Sequence, residues 1–309
     1  MTPAHAPARP RRRGVAEVLN ASFRHWSLLP AVLLFALLTA YPVVNLLRMA
    51  VSTIEFREGS ERWSFTPLHN WSLLVADGAL GPVVRNTLLF VVVAVAIETV
   101  AGLALALAVG AMSRGKALLR TLMIVPILVP PVAIGSMFKL MFNHDFGVFN
   151  QMLGGLGIAP VSWLGSTSLA LWSVIVVDVW HWVPFIFLIL FAAVEGLPRE
   201  VLEAARVDGA TRWQLLWRVT LPLLMPAITV ALLFRSILAF KTFDEVFLLT
   251  GGGPGTSSEL LSLHLYKVFF EQNQLGYGAL LSVFAIVGVL TLLVLARWLT
   301  RRGAQGSMA

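Results

Sequence analysis

Apolar stretches long enough to cross a bilayer recur along this chain, and nothing else in it constrains the fold as strongly. A hydrocarbon layer of roughly 30 Å needs about 20 helical residues at about 1.5 Å each. Stretches that meet this demand run at 28–50, 86–110, 118–141, 168–194, 222–247 and 279–298, each bounded by charges, glycines or prolines. Composition agrees, because only 13% of residues are charged, against about 25% in an ordinary soluble domain. The expected fold class is therefore an all-α polytopic membrane protein with six transmembrane helices. The first stretch exceeds a signal-peptide core and lacks a small-x-small cleavage pattern, so it reads as a retained span.

Orientation follows from the basic residues, which are retained on the cytoplasmic side of a membrane. Of the 23 Lys and Arg residues, fifteen fall in the N-terminal segment, the loops after spans two and four, and the C-terminal tail. Five fall in the alternate loops or at the span end beside them: Arg48, Arg57, Arg62, Arg85 and Lys267. Both termini are thus expected in the cytoplasm, with 1–27 as a basic, disordered segment, 51–85 as an extracytoplasmic loop and 299–309 as a tail. The net charge of +7 is accounted for by this topology and does not point to nucleic acid. The absence of cysteine excludes disulfides, thiolate metal sites and a cysteine nucleophile.

The third span is irregular. Its "VPILVPP" places Pro126, Pro130 and Pro131 close together, and each proline removes a backbone donor and favours a kink. Within lipid such a break survives only against neighbouring helices or a water-filled cavity, which suggests a pathway more than an anchor. In the first outer loop, Phe56, Phe65, Trp63 and Trp71 suit either a protein contact surface or an interfacial aromatic belt.

The segment 195–221 is the anomaly, because it is charged and water-compatible between two apolar runs. Residues 199–208, "REVLEAARVD", are good helix formers; Gly209 permits a change of direction, and "ATRWQLLWRV" resumes a helical pattern. Trp213 and Trp217 beside Arg212 and Arg218 suit a headgroup-level linker. Against a purely lipid-facing role stand Glu200, Glu203 and Asp208, since a helix meant for anionic lipid is mostly basic. Ala204 and Ala205 leave a small-residue face that another protein's backbone can approach. Leu221 and Pro222 then lead straight into the next span.

The string Glu203-Ala204-Ala205, then Asp208-Gly209-Ala210, then Val219-Thr220-Leu221-Pro222 resembles the Glu-Ala-Ala loop of ABC-importer permease subunits. Val219 stands where that family more often has isoleucine. The segments "ARVDGA", "FDEVFLLTGGGPG" and "VPILVPP" resemble its carbohydrate-importing branch, to which maltose and glycerol-phosphate permeases belong. The resemblance implies a type I importer permease fold in the bacterial cytoplasmic membrane. It implies a second, similar permease, an ATPase dimer docked on the loop, an extracytoplasmic solute-binding protein and a sugar substrate. It makes Glu203, Ala204, Ala205, Asp208, Gly209, Ala210, Leu221 and Pro222 the ATPase-coupling residues. No cofactor is expected in this chain, with ATP and magnesium held by the partner ATPase. In keeping with that, the sequence has no G-x-x-x-x-G-K-[ST] loop, and "TGGGPG" lacks the following Lys and Ser/Thr.

Ionisable residues within a span are costly and count as functional candidates. Lys241 has Asp244 and Glu245 at i+3 and i+4 as partners, Lys139 can snorkel, and Glu98 can bond between helices. Asp178, Trp182 and Phe185 form one helical stripe, and Arg235, Ala239 and Thr242 repeat that spacing on the following span. Two readings stay open for these six. They line a sugar pathway, with Asp178 accepting hydroxyls, Arg235 donating and Trp182 stacking, or Asp178 and Arg235 form an ion pair that holds the bundle. Other classes to weigh are a permease for a non-sugar solute, an ion-coupled secondary transporter, and a metalloenzyme using Asp178 and His181, for which no third ligand is evident.

Overall fold

The computed structural model describes residues 23, 27–57 and 60–306, with side chains described to 294 except at 56, 57 and 292. The expected basic segment 1–27 lies almost wholly outside the described residues, as do 307–309.

Helix α1 (Leu29–Ala50) starts at a proline at its first turn, where the missing N–H costs nothing. It stands apart from the bundle: of its long apolar surface only the end, Leu46, Met49 and Ala50, packs, against Ala279, Leu280 and Val283. The segment after α1, expected to be an extracytoplasmic loop, folds into a small unit of its own. Strands β1 (Ser52–Arg57) and β2 (Ser60–Phe65) pair antiparallel from Ser52↔Phe65 to Arg57↔Ser60, and helix α2 (Pro67–Ala76) follows. Buried Asn70 donates to the carbonyls of Ala50 and Ser52 at 2.9 and 3.0 Å, tying α2 to the end of α1.

The core is three helices: α3 (Leu80–Gly110), α7 (Ala170–Glu195) and α9 (Arg212–Phe240). A Cβ on Gly102 of α3 would stand 2.7 Å from Ile186 Cγ2 of α7, so the absence of a side chain there sets how closely the two approach. Around this contact Ala106, Ile186, Phe187, Leu190, Leu224 and Ala231 form a fully buried cluster shared by all three.

The third expected span is broken instead of kinked. Helices α4 (Lys116–Leu128) and α5 (Pro131–Met141) meet at 90°. Val129 is extended, the conformation a following proline imposes, and Pro130 and Pro131 in series leave no donors to bridge the gap. Helix α6 (Val148–Gly155) follows, then α7, then α8 (Arg199–Val207).

Span five differs at both ends from the expected 222–247. Its helix begins at Arg212, passes through a π-helical segment at Leu215–Thr220 and stops at Phe240. The π turn explains how Pro222 is tolerated: widening to an i−5 bond, Leu221 N–H to Leu216 O, carries the helix up to a residue that has no N–H to give. A separate helix α10 (Asp244–Leu249) lies beyond residues 241–243. Helix α11 (Leu261–Tyr266) continues as a π turn to Glu271, and α12 (Leu275–Gly306) ends the described chain. Among the described residues, four helices are long and apolar enough to cross a membrane, and the bent α4–α5 pair would be a fifth.

Candidate functional site

Two features of the chain are built for more than packing: the loop at 195–221 and a cluster of charges buried where α3, α7 and α9 meet.

In the loop, Pro198 sets the entry to α8, with Glu200 in its first turn and Arg206 in its last, matching the helix dipole. The helix ends in a complete Schellman motif. Gly209 N–H donates to Arg206 O at 3.1 Å and Ala210 N–H to Ala205 O at 3.0 Å, with Gly209 at φ +81°, a left-handed conformation that glycine adopts without strain. Two residues later Thr211 restarts the chain as a capping box. Its Oγ1 accepts from Gln214 N at 3.3 Å, and its own N–H donates to Gln214 Oε1 at 2.9 Å. The joint between α8 and α9 is therefore a defined corner with its backbone groups satisfied.

This corner is strongly amphipathic yet has little to pack against. No residue of α8 is buried; Glu203, Ala204, Asp208 and Gly209 are exposed, Ala205 and Ala210 half-buried, and Val207 is 87% exposed. Trp213 and Trp217 form an edge-to-face pair on the surface. Leu221 is half-buried against the α3–α7–α9 cluster, while Pro222 is exposed. Beside the loop, Lys116 Nζ reaches Glu195 Oε1 at 2.6 Å, linking the start of α4 to the end of α7.

The buried cluster centres on Arg235 of α9, which has no exposed surface. Its Nη2 donates to Glu98 Oε1 of α3 at 2.9 Å and to Asp178 Oδ2 of α7. Its Nε also lies 2.6 Å from Glu98 Oε2, an ionic contact whose angle falls outside hydrogen-bond geometry. Trp182 covers the guanidinium, with Cζ 5.0 Å from its ring centroid. One turn along α7, His181 Nδ1 is 3.1 Å from Glu245 Oε1 of α10. Asp178 and His181, weighed above as joint metal ligands, thus face different partners.

Of the two stripes read from the sequence, Asp178, Arg235 and Ala239 are fully buried and Thr242 nearly so, while Trp182 and Phe185 are half-buried and packed edge to face. The ion pair held open as one alternative is formed, and Glu98 is its third member. Lys241 pairs with neither Asp244 nor Glu245, because the helix ends at Phe240 and the i+3, i+4 geometry is lost. Lys139 is exposed.

A second charged network escaped sequence reading. His264 of α11 bonds through Nδ1 to Glu259 Oε1 and through Nε2 to Asp77 Oδ2, both at 2.8 Å. Tyr277 donates to Asp77 at 2.5 Å, and Lys267 Nζ to Glu259 Oε2 at 2.7 Å and Gly251 O at 3.0 Å. Asn86 of α3 donates to the carbonyls of Thr256 and Ser257 at 2.8 and 3.2 Å, pinning the glycine-rich loop to the bundle. Burial opposes the charged form of Asp77, yet hydrogen bonds from Tyr277 and His264 outweigh it and hold the carboxyl below its usual range. Glu259 is lowered likewise, burial being outweighed by His264 and Lys267. Burial would lower His264, but Glu259 and Asp77 raise it. The partners lie up to 200 residues apart, so no local pattern signals them.

Residues 98–304 match the family described as "Binding-protein-dependent transport system inner membrane component". The chain is 35% identical over 280 residues to the probable ABC transporter permease protein y4oQ of Sinorhizobium fredii, covering 91% of this chain and 90% of that one. It is 37% identical over 205 residues to the trehalose/maltose transport system permease protein MalF of Thermococcus litoralis, covering 66% and 69%. It is 32% identical over 256 residues to the sulfoquinovosyl glycerol transport system permease protein SmoG of Agrobacterium fabrum, covering 83% of each. In fold it matches a chain of a bacterial alginate ABC transporter with a TM-score of 0.80 at 21% identity, over 94% of this chain and 98% of that one.

Proposed function

The chain belongs to the family of binding-protein-dependent transport system inner membrane components, the membrane-embedded transport part of an ABC importer and not its enzyme, and on that premise we propose the solute, partners and moving parts that follow. The solute is a sugar or sugar derivative, as the relatives' names for trehalose, maltose and sulfoquinovosyl glycerol suggest. The chain crosses the bacterial cytoplasmic membrane six times, with α4–α5 and α12 added to the four unbroken spans, and both termini lie in the cytoplasm. Its partners are a second permease, an ATPase dimer that binds ATP and magnesium, and an extracytoplasmic solute-binding protein, which the β1–β2 hairpin and α2 help to seat through exposed Phe65, Leu68 and Trp71.

The observation that carries this reading is the continuity of α9. The exposed corner from Glu203 to Ala210 is joined through the Thr211 cap to a helix that runs without interruption from Arg212 to Phe240. An ATPase closing on Glu203, Ala204, Ala205, Asp208, Gly209 and Ala210 therefore moves α9 directly past Leu221 and Pro222. Arg235, tied to Glu98 and Asp178, carries that motion to α3 and α7 as one body. Asp178 and Arg235 neutralise each other and set the wall of the pathway. Trp182 and Phe185 offer it their faces, with Ala239 and Thr242 closing the packing behind them.

Because the chain has no native cysteine, Val207→Cys tests the orientation and the docking together. It is expected to react with a membrane-impermeant maleimide only from the cytoplasmic face, and to be protected when the ATPase is bound. Labelling from outside, or labelling unchanged by the ATPase, contradicts the reading.

A further inference from the structure

Between α9, α11 and α12 lies a groove of about 540 Å³ that no part of the transport reading uses. Its walls are apolar, with Ile237 and Phe240 from α9, Leu265 from α11, and Ile286 and Leu290 from α12. Ile286 and Leu290 are 49% and 55% exposed, so the groove is open to whatever surrounds the bundle. The polar lining residues are Ser262, whose hydroxyl donates to Thr242 O, and at one end Lys241, which is exposed and forms no ion pair among the described residues. Tyr266 lines that same end, tilted or edge-on against Phe243, Phe247 and Phe270, and tyrosine is a residue that gathers at a membrane–water boundary.

The depth of this end follows from the buried charge cluster. Arg235 pairs with Glu98 near the middle of α3, and Lys241 lies six residues, about 9 Å, further outward, so in the orientation proposed above its backbone sits within the outer leaflet and its side chain snorkels to the headgroups. Residues 285–290 lie at least ten positions into α12, about 15 Å or more below its outer end, within hydrocarbon. The groove thus runs from a single cation at the headgroups down along an apolar wall.

We propose that this groove holds one anionic phospholipid of the outer leaflet, its phosphate on Lys241 and one acyl chain laid along Phe240, Ile286 and Leu290. The unpaired ammonium selects lipid over a transmembrane helix of a partner, which would have to bury that charge or bring a carboxylate to it.

The full-length chain, purified with its partner subunits, is stripped of lipid, reloaded from equal phosphatidylglycerol and phosphatidylcholine, and analysed by native mass spectrometry. One phosphatidylglycerol per chain is expected to be retained in preference to phosphatidylcholine. Lys241→Gln is expected to lower that preference roughly fivefold, the weight of one lysine against an anionic headgroup. Ile286→Trp, which fills the groove from an exposed position, is expected to release both lipids at unchanged melting temperature. An undiminished preference in Lys241→Gln overturns the proposal, as does efficient crosslinking of Leu290→Cys to a partner subunit. Reversed labelling at Val207→Cys would move the lipid to the other leaflet without changing the retention ratio, so the two readings fail separately.

Discussion

Arg235 illustrates how one residue can be costly alone and nearly neutral in company. A guanidinium with no exposed surface is tolerated because Glu98 and Asp178 meet it from two other helices. Removing it alone leaves two carboxylates facing each other in a dry core. Arg235→Ala is therefore expected to destabilise the chain by about 3–5 kcal/mol, whereas replacing all three members with apolar residues of similar volume is expected to be near neutral. Thermal unfolding in detergent distinguishes the two. At the outer end, His264 gives a pH signature. Its raised pKa means that its contribution is complete below the ordinary value of 6.5 and is lost as pH rises through the raised value. Asp77 and Glu259, lowered from 3.8 and 4.5, contribute fully above those values and lose their contribution as pH falls through the lowered ones. The clasp is thus strongest between pH 4.5 and 6.5. His264→Gln is expected to flatten the alkaline fall in a plot of melting temperature against pH, while leaving the acid fall in place.

Among the elements, α9 matters most, because it makes the loop and the span a single rod. Inserting Gly-Gly between Thr220 and Leu221 interrupts that rod where the π segment ends. ATP hydrolysis is expected to persist in the assembled complex while transport falls by an order of magnitude or more, measured by uptake into proteoliposomes. This continuity was not legible in the sequence. Charges at Arg212 and Arg218 mark a membrane boundary in hydropathy terms, but a helix crosses that boundary without a break when its caps and a π turn allow. For the same reason α3 begins at Leu80, before Arg85. The proline run in the third span was legible as an irregularity. Its outcome as a 90° break depends on the extended conformation of Val129 and on what packs nearby. The turn at Gly209 was legible, since glycine at a helix end is a local signal, whereas the Thr211–Gln214 capping box, also a local pattern, emerged only in the structure. The Glu98 link to Arg235 was not legible, because which helices face one another is decided by packing such as Gly102 against Ile186.

For the whole molecule, the arrangement divides labour. In the proposed mechanism a tight α3–α7–α9 core carries motion, while a network of Asp77, His264, Glu259 and Lys267 fixes the glycine-rich loop and α1 with α12 forms the periphery. The intramembrane charges that suggested an ion-coupled transporter are largely accounted for by pairing within this frame: Glu98, Asp178 and Arg235 with one another, His181 with Glu245. The central claim is that an ATPase moves this core by gripping the corner at Glu203–Ala210. Its most direct test is solute uptake by the complete complex in proteoliposomes, with binding protein inside the assay and ATP supplied to the loop side, comparing the native chain with Glu203→Lys and Gly209→Asp. Glu203 is exposed, and no atom lies within 4 Å of a Cβ at 209, where the left-handed backbone costs an Asp about 1 kcal/mol. Normal folding and insertion with uptake reduced to background is the expected result; uptake at the native rate in either variant contradicts the account.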